Sequence, residues 1–338
     1  MPEQSANGYA FEYAIIISIP EAINDWIAIN QNGNCYCQII EDQAFFNTKM
    51  HFNSRNPEIQ QLMVRGAKAG LSKIIDMEPR LVYASSEDPL VIHSGTSQNG
   101  IVGDVRDIVF IRQLQRSHRR SILAPYVADG NPWEIGISAK WNNDVIKNSR
   151  LAEHLDFCNS WFGFPCSRDY WNDIAPVMAF LNDHAGQTWR SLPDKKNSVY
   201  RPLIDAFVRE MNKQATNHNL ANMLVEYMVG RYDFYKLMTS SSNRITNIQA
   251  FNLRGNLNQD CEGILPRITV PLQARTLPTR IVSIARYLDR PAWAEIIMDN
   301  GWQFSFRLHN AESLVVPSLK FDVRFRGNPM ATWAEPWI

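Results

Sequence analysis

The sequence predicts a mixed α/β (α+β) fold. Three observations carry this. Residues 56–76 repeat apolar side chains at helical spacing, with Leu62, Val64, Ala67, Leu71, Ile74 and Ile75 on one broad face. Three short apolar runs follow at Leu90–Ser94, Asp107–Arg112 and Trp133–Lys140. A second block of β-type runs lies beyond residue 280.

In order along the chain, Gln4 to Ile17 reads as a helix entering the core. The helix over 56–76 comes next, then the three strands, the first two separated by the turn-forming GTSQNG. Tyr170–His184 and Tyr200–Met238 carry helix formers and apolar spacing, with Leu203, Phe207, Met211, Leu220, Leu224, Tyr227 and Met228 as expected core. Turn residues dominate 253–280. Strands are then expected at Ile281–Tyr287, Trp293–Met298, Trp302–His309 and Leu319–Arg326, with Asp299-Asn300-Gly301 as a hairpin turn. The expected layout is a catalytic core over 1–165, a helical segment over 166–250 and a β-rich portion over 251–338.

The chain has 338 residues, 45% hydrophobic and 20% charged, which suffices for a sizeable core. No apolar run reaches membrane-spanning length. Glu3, Glu12 and Glu21 sit in and around the first apolar stretch, so a secretory leader is not expected and a cytoplasmic location is. The five cysteines are scattered, which argues against a disulfide framework and against a structural zinc site. The net charge is zero, so local clusters decide any polyanion binding. Between Ile108 and Ala128 there are Arg112, Arg116, Arg119, Arg120 and His118 and no acid. A solvated loop is the plain alternative.

Along a strand, alternate residues share a face. Glu134, Gly136, Ser138 and Lys140 therefore line one side of the run beginning at Trp133, a poor set for burial. Asp107 opens the neighbouring run. An Asp and a Glu on adjacent strands can bind one divalent cation, and hard oxygen donors favour magnesium or manganese. A nearby lysine can orient water and balance charge on a phosphate. Asp104 is the rival to Asp107, and a surface Glu134–Lys140 ion pair is the plainer reading.

The order acid on one strand, acid on the next, then lysine resembles the PD-(D/E)xK nuclease superfamily. Asn7-Gly-Tyr-Ala-Phe-Glu12 resembles its opening helix, whose glutamate points towards the metal; Glu12 is thus a third candidate carboxylate. More specifically, GDVRDIVFIR, WEIGISAKWNNDVIKNSRL and RLHNAESLVVPSLKFDVRFRGNP resemble the HaeIII-type restriction endonuclease family, over Gly8 to Pro329. The resemblance implies a restriction-endonuclease-like sheet flanked by helices. It also implies magnesium-dependent cleavage of double-stranded DNA within the palindrome GGCC, and a bacterial host protected by a paired methyltransferase. Cutting a palindrome implies a homodimer or a monomer that nicks twice. One departure stands out: the superfamily's second acid lies two residues before the lysine, and here that residue is Ser138.

If the chain is a nuclease, Arg112, Arg116, Arg119 and Arg120 are placed to grip phosphates. Asn142, Asn143, Lys147, Asn148 and Arg150, just after Lys140, are candidates for reading base edges; the polar start of a helix is the alternative. His309, Asn310 and Lys320 to Arg326 offer a second DNA-facing surface. A DNA-binding protein without catalysis, or an unrelated hydrolase, are the competing functions.

Overall fold

The computed structural model describes residues 3–30, 34–95, 103–113, 132–217, 219–261, 264–268, 272, 274–327 and 331–337. The chain forms two compact units. The first comprises 1–144, 231–275 and 330–338; the second comprises 145–230 and 276–329.

The first unit opens with helix α1 (Glu3–Asn30), which continues past Ile17 through Pro20. Its buried stripe runs Ala10, Ala14, Ile15, Ile19, Ile23 and Ile27. Strand β1 (Cys37–Ile39) and helices α2 (Gln43–Asn53), α3 (Pro57–Met77) and α4 (Pro79–Val82) follow. Asp42 and Asn56 cap α2 and α3 by accepting from Phe45 N and Ile59 N. Then come β2 (Leu90–Ser94), β3 (Ile108–Arg112) and β4 (Trp133–Trp141). Strands β6 (Phe234–Ser240), β7 (Ile245–Phe251) and β12 (Thr332–Pro336) complete a seven-stranded sheet of order β1-β2-β3-β4-β6-β7-β12. The β1–β2 and β4–β6 pairs are parallel and the rest antiparallel. Helix α3 lies close on the sheet because Gly66 and Gly70 carry no side chain. A Cβ there would come within 2.8 Å of Trp337 and Leu237 respectively.

The stretch expected to stay helical to Met238 does not. Gly230 (φ +92°) stops the preceding helix, and Phe234–Ser240 is a strand between β4 and β7. Lys236 and Met238 suit a helix locally, but pairing on both sides overrides that preference. Lys236 is buried and donates to the Asp144 carbonyl, 2.5 Å.

The second unit holds β5 (Lys147–Ala152), α5 (Phe157–Phe162), α6 (Arg168–Asp183), a single turn of π-helix (Lys196–Tyr200), α7 (Arg201–Gln214) and α8 (Leu220–Val229). Strands β8 (Ile281–Arg286), β9 (Trp293–Met298), β10 (Gln303–Asn310) and β11 (Ser318–Phe325) join β5 in a sheet of order β5-β11-β10-β9-β8. Asn300 and Gly301 both take left-handed φ (55° and 79°), as the β9–β10 hairpin requires.

Beneath the first sheet, the buried Glu78 carboxyl accepts from Tyr235 Oη, 2.5 Å, and Asn258 N, 2.7 Å. Burial pushes it up to about 8. The folded value lies above the unfolded one, so this group's stabilising share is full at acid pH and is lost as pH rises through about 8. Glu78→Gln should flatten that slope. Thermal melts from about pH 5 to about pH 9 should show wild-type Tm falling more than the variant's; parallel curves would refute the raised carboxyl.

Candidate active site

Asp107 stands immediately before β3, where it is already paired with β4: its N–H donates to the Ile137 carbonyl, 2.8 Å. This register puts its side chain beside the far end of β4. Asp107 Oδ2 accepts from Ala139 N (2.7 Å), Ser138 Oγ (3.3 Å) and Lys140 Nζ (3.2 Å). All three donors reach the same oxygen, so Oδ1 has no protein donor among the described residues. Asp107 and Lys140 keep 26% and 20% of their side-chain surface, enough for a substrate to reach them.

Glu12 enters from α1. It is buried, and burial raises its carboxyl well above the usual range. The Asp107 charge raises it further, while Lys140 pulls it down. Tyr9, three residues earlier on the helix, feels both acids: burial, then Glu12, then Asp107 push its hydroxyl up. A helix and two strands thus converge a tyrosine, two carboxylates and a lysine at one end of β4.

Glu134 is elsewhere. It stands opposite Ile111 near the start of β4, whereas Asp107 lies beside Ser138. Its Oε1 pairs with Arg106 Nη2 at 2.6 Å, and the same guanidinium holds Asp104 at 2.7 Å. Asp104 therefore caps an arginine rather than joining the cluster. The Arg106 stem crosses β4 at Gly136, where a Cβ would lie 2.4 Å from Arg106 Cδ and 2.8 Å from the Ile108 carbonyl oxygen. Its head stacks 3.9 Å over the Tyr232 ring.

The basic residues divide. Arg112 is not on the surface: it is buried, bonded to Asp88 Oδ2 (2.9 Å) and the Arg80 carbonyl (2.9 Å). Arg116, Arg119 and Arg120 lie outside the described residues. Asn142 takes φ +51° and bonds Ser241 through both ends of its amide. Asn143 precedes β5, and 147–152 is a strand rather than the start of a helix. Lys147 is turned inward to the Tyr227 carbonyl, 2.7 Å, and burial lowers its ammonium to about 8. Asn148 and Arg150 are exposed on β5. They face Asp322 and Lys320 of β11 in register. Arg307, Arg324 and Arg290 surround the Trp293 ring at 5.9, 5.5 and 5.7 Å. Arg324 falls in the stretch 320–326 expected to face DNA; Trp293, Arg290 and Arg307 were missed from sequence, because strand pairing brings them to it.

The sequence pattern described as HaeIII restriction endonuclease matches residues 8–329. The chain belongs to that family. It is 32% identical over 337 residues to the "Type II restriction enzyme HaeIII" of Haemophilus aegyptius, covering 98% of this chain and 97% of the relative. No solved structure matches it. A member of the HaeIII family is a restriction endonuclease, a site-specific deoxyribonuclease, and this class generally depends on a metal ion. Among the described residues, no helix is long and apolar enough to cross a membrane.

Gly136→Ala should displace Arg106 and cost about 1–3 kcal/mol of stability, because the added methyl meets a backbone oxygen as well as a side chain. Urea unfolding checks this; an unchanged midpoint would mean that Arg106 need not cross β4 there.

Proposed function

We propose that the chain hydrolyses double-stranded DNA with magnesium held between Asp107 and Glu12, and that Lys140 is the cationic member of the site. The observation that carries this is the convergence of Glu12 and Lys140 on Asp107. The residues suit the ion. Asp107 Oδ1 is open to a further partner among the described residues, and burial with the Asp107 charge holds the Glu12 carboxyl well above the usual range, a cost that a divalent cation between the two acids would relieve. When bound, the ion supplies a Lewis acid that draws charge from a phosphate oxygen and eases proton loss from water. Ser138 and the Ala139 N–H fix Asp107 while its other oxygen stays available. Lys140 directs its ammonium into the same space, to orient the attacking water and offset charge on the phosphate. Glu134 acts through Arg106 as a positioning residue.

The relative's name extends the proposal to a type II restriction enzyme; cutting within GGCC, a bacterial cytoplasm and a paired methyltransferase are what the family resemblance implies. Two strands then need two active sites, in a homodimer or in a monomer that visits twice.

Asp107→Asn, Glu12→Gln and Lys140→Ala should each slow plasmid cleavage at least about a hundredfold in magnesium. Glu134→Gln should retain much more activity. Equal loss in Glu134→Gln would return it to the metal site, and discrete fragments in EDTA would reject the metal altogether. Because Glu12's carboxyl is raised, protons compete with the cation. The magnesium needed for half-maximal cleavage should fall as pH rises, and Glu12→Gln should lose that dependence. A pH-independent requirement would contradict this.

The exposed β5–β11–β10 face supplies the phosphate grip in this reading. In calcium, Arg150→Ala and Arg324→Ala should each lower the slope of log affinity against log salt by about 0.9 on cognate and scrambled duplexes alike. Unchanged slopes would remove this face from the interface.

A further inference from the structure

The second unit contains a buried polar cluster that the cleavage site does not use. Cys158 lies in α5, Cys166 just before α6, and Glu210 in α7. One ligand-capable atom from each lies within 4.8 Å of the other two. The three residues are only 0%, 7% and 2% exposed. Such a set is unlike core packing, where a carboxylate beside two thiols gains nothing from burial.

The surroundings fit a ligand set. Glu210 accepts from Ser167 N (2.9 Å), Ser167 Oγ (2.5 Å) and Gln214 Nε2 (2.8 Å), which orient the carboxylate and leave it one further acceptor position. The backbone N–H of Cys166 is anchored on both Asp156 oxygens, at 3.1 and 3.0 Å. A second observation points to a missing partner. Tyr170 is 1% exposed, and its hydroxyl bonds to nothing among the described residues. Burial pushes this hydroxyl up, and Cys166, Cys158, Asp156 and Glu210 lie close enough to act on it.

We propose that Cys158, Cys166 and Glu210 bind a zinc ion that ties α5, α6 and α7 together. Two thiolates select a soft divalent cation over magnesium. Zinc bonds of about 2.0–2.3 Å place tetrahedral ligand atoms about 3.4–3.8 Å apart, inside the span of this cluster. A water in the fourth position would give the Tyr170 hydroxyl its partner. The two thiol protons leave as the ion enters, so binding strengthens with pH. This site is independent of the cleavage chemistry.

The test uses the full-length protein, equilibrated with zinc and desalted, with metal counted by mass spectrometry. About one zinc per chain is expected. Cys158→Ser and Cys166→Ser should lose it, while Asp107→Asn and the Cys35→Ser/Cys37→Ser double variant should retain it. Glu210→Gln keeps the side-chain volume and one acceptor oxygen for Ser167, so it serves if the cysteine variants fail to fold; it should weaken zinc at least tenfold. Cobalt in place of zinc should give wild type a thiolate-to-cobalt charge-transfer band. Wild type without zinc, zinc retained after both cysteine substitutions, or a Cys158–Cys166 disulfide in the native protein would each overturn the proposal.

Discussion

The N–H of Ala139 donates to the carboxylate of Asp107 across the end of a strand pair, and the proposed cleavage site hangs on this bond. A backbone donor cannot rotate away as a side chain can. It fixes one oxygen of Asp107, which decides where the other points and what Lys140 can reach. The bond exists only because β3 and β4 pair in one register: a slip of a single residue would send Asp107 to the opposite face. The seven-stranded sheet, held by strands on both sides of β4 and covered by α1 and α3, makes that slip costly.

The same register explains why the acid two residues before the lysine can be a serine. Ser138 lies directly beside Asp107 and donates to it. A carboxylate there would repel Asp107 unless an ion intervened. The second negative charge arrives instead from a helix, where Glu12 is shielded from water and joined by Tyr9 one turn earlier. Glu134 keeps company with Arg106, which also holds Asp104 just before Asp107.

Much of this was legible in the residues. Alternation along Trp133–Lys140 gave the polar face, and Asp107 at the head of an apolar run gave its neighbour. What alternation cannot give is the offset between two strands, so Glu134 was expected beside Asp107 when it stands opposite Ile111. Arg112 ends an apolar strand near a basic stretch, yet an acid distant in sequence, Asp88, draws it inward. The β6 strand was hidden by helix-forming residues whose partners lie far along the chain. The β10–β11 register likewise lies beyond single-sequence patterning, so Arg290, Arg307 and Trp293 could not be gathered around Arg324 in advance. The 3.6-residue rhythm of α3, by contrast, is local and was read within a residue.

The path of the chain through its two units sets an order of assembly during synthesis. Strand β4 carries Lys140, but its neighbour β6 emerges only after residues 145–230, which belong to the other unit. The edge strand β12 comes later still, after 276–329 have been made. A nascent chain therefore displays Asp107 and Lys140 on an unfinished sheet, and closing it waits on contacts distant in sequence, which form slowly. Chains truncated before β6 thus carry the residues of the proposed site without the strands that align them.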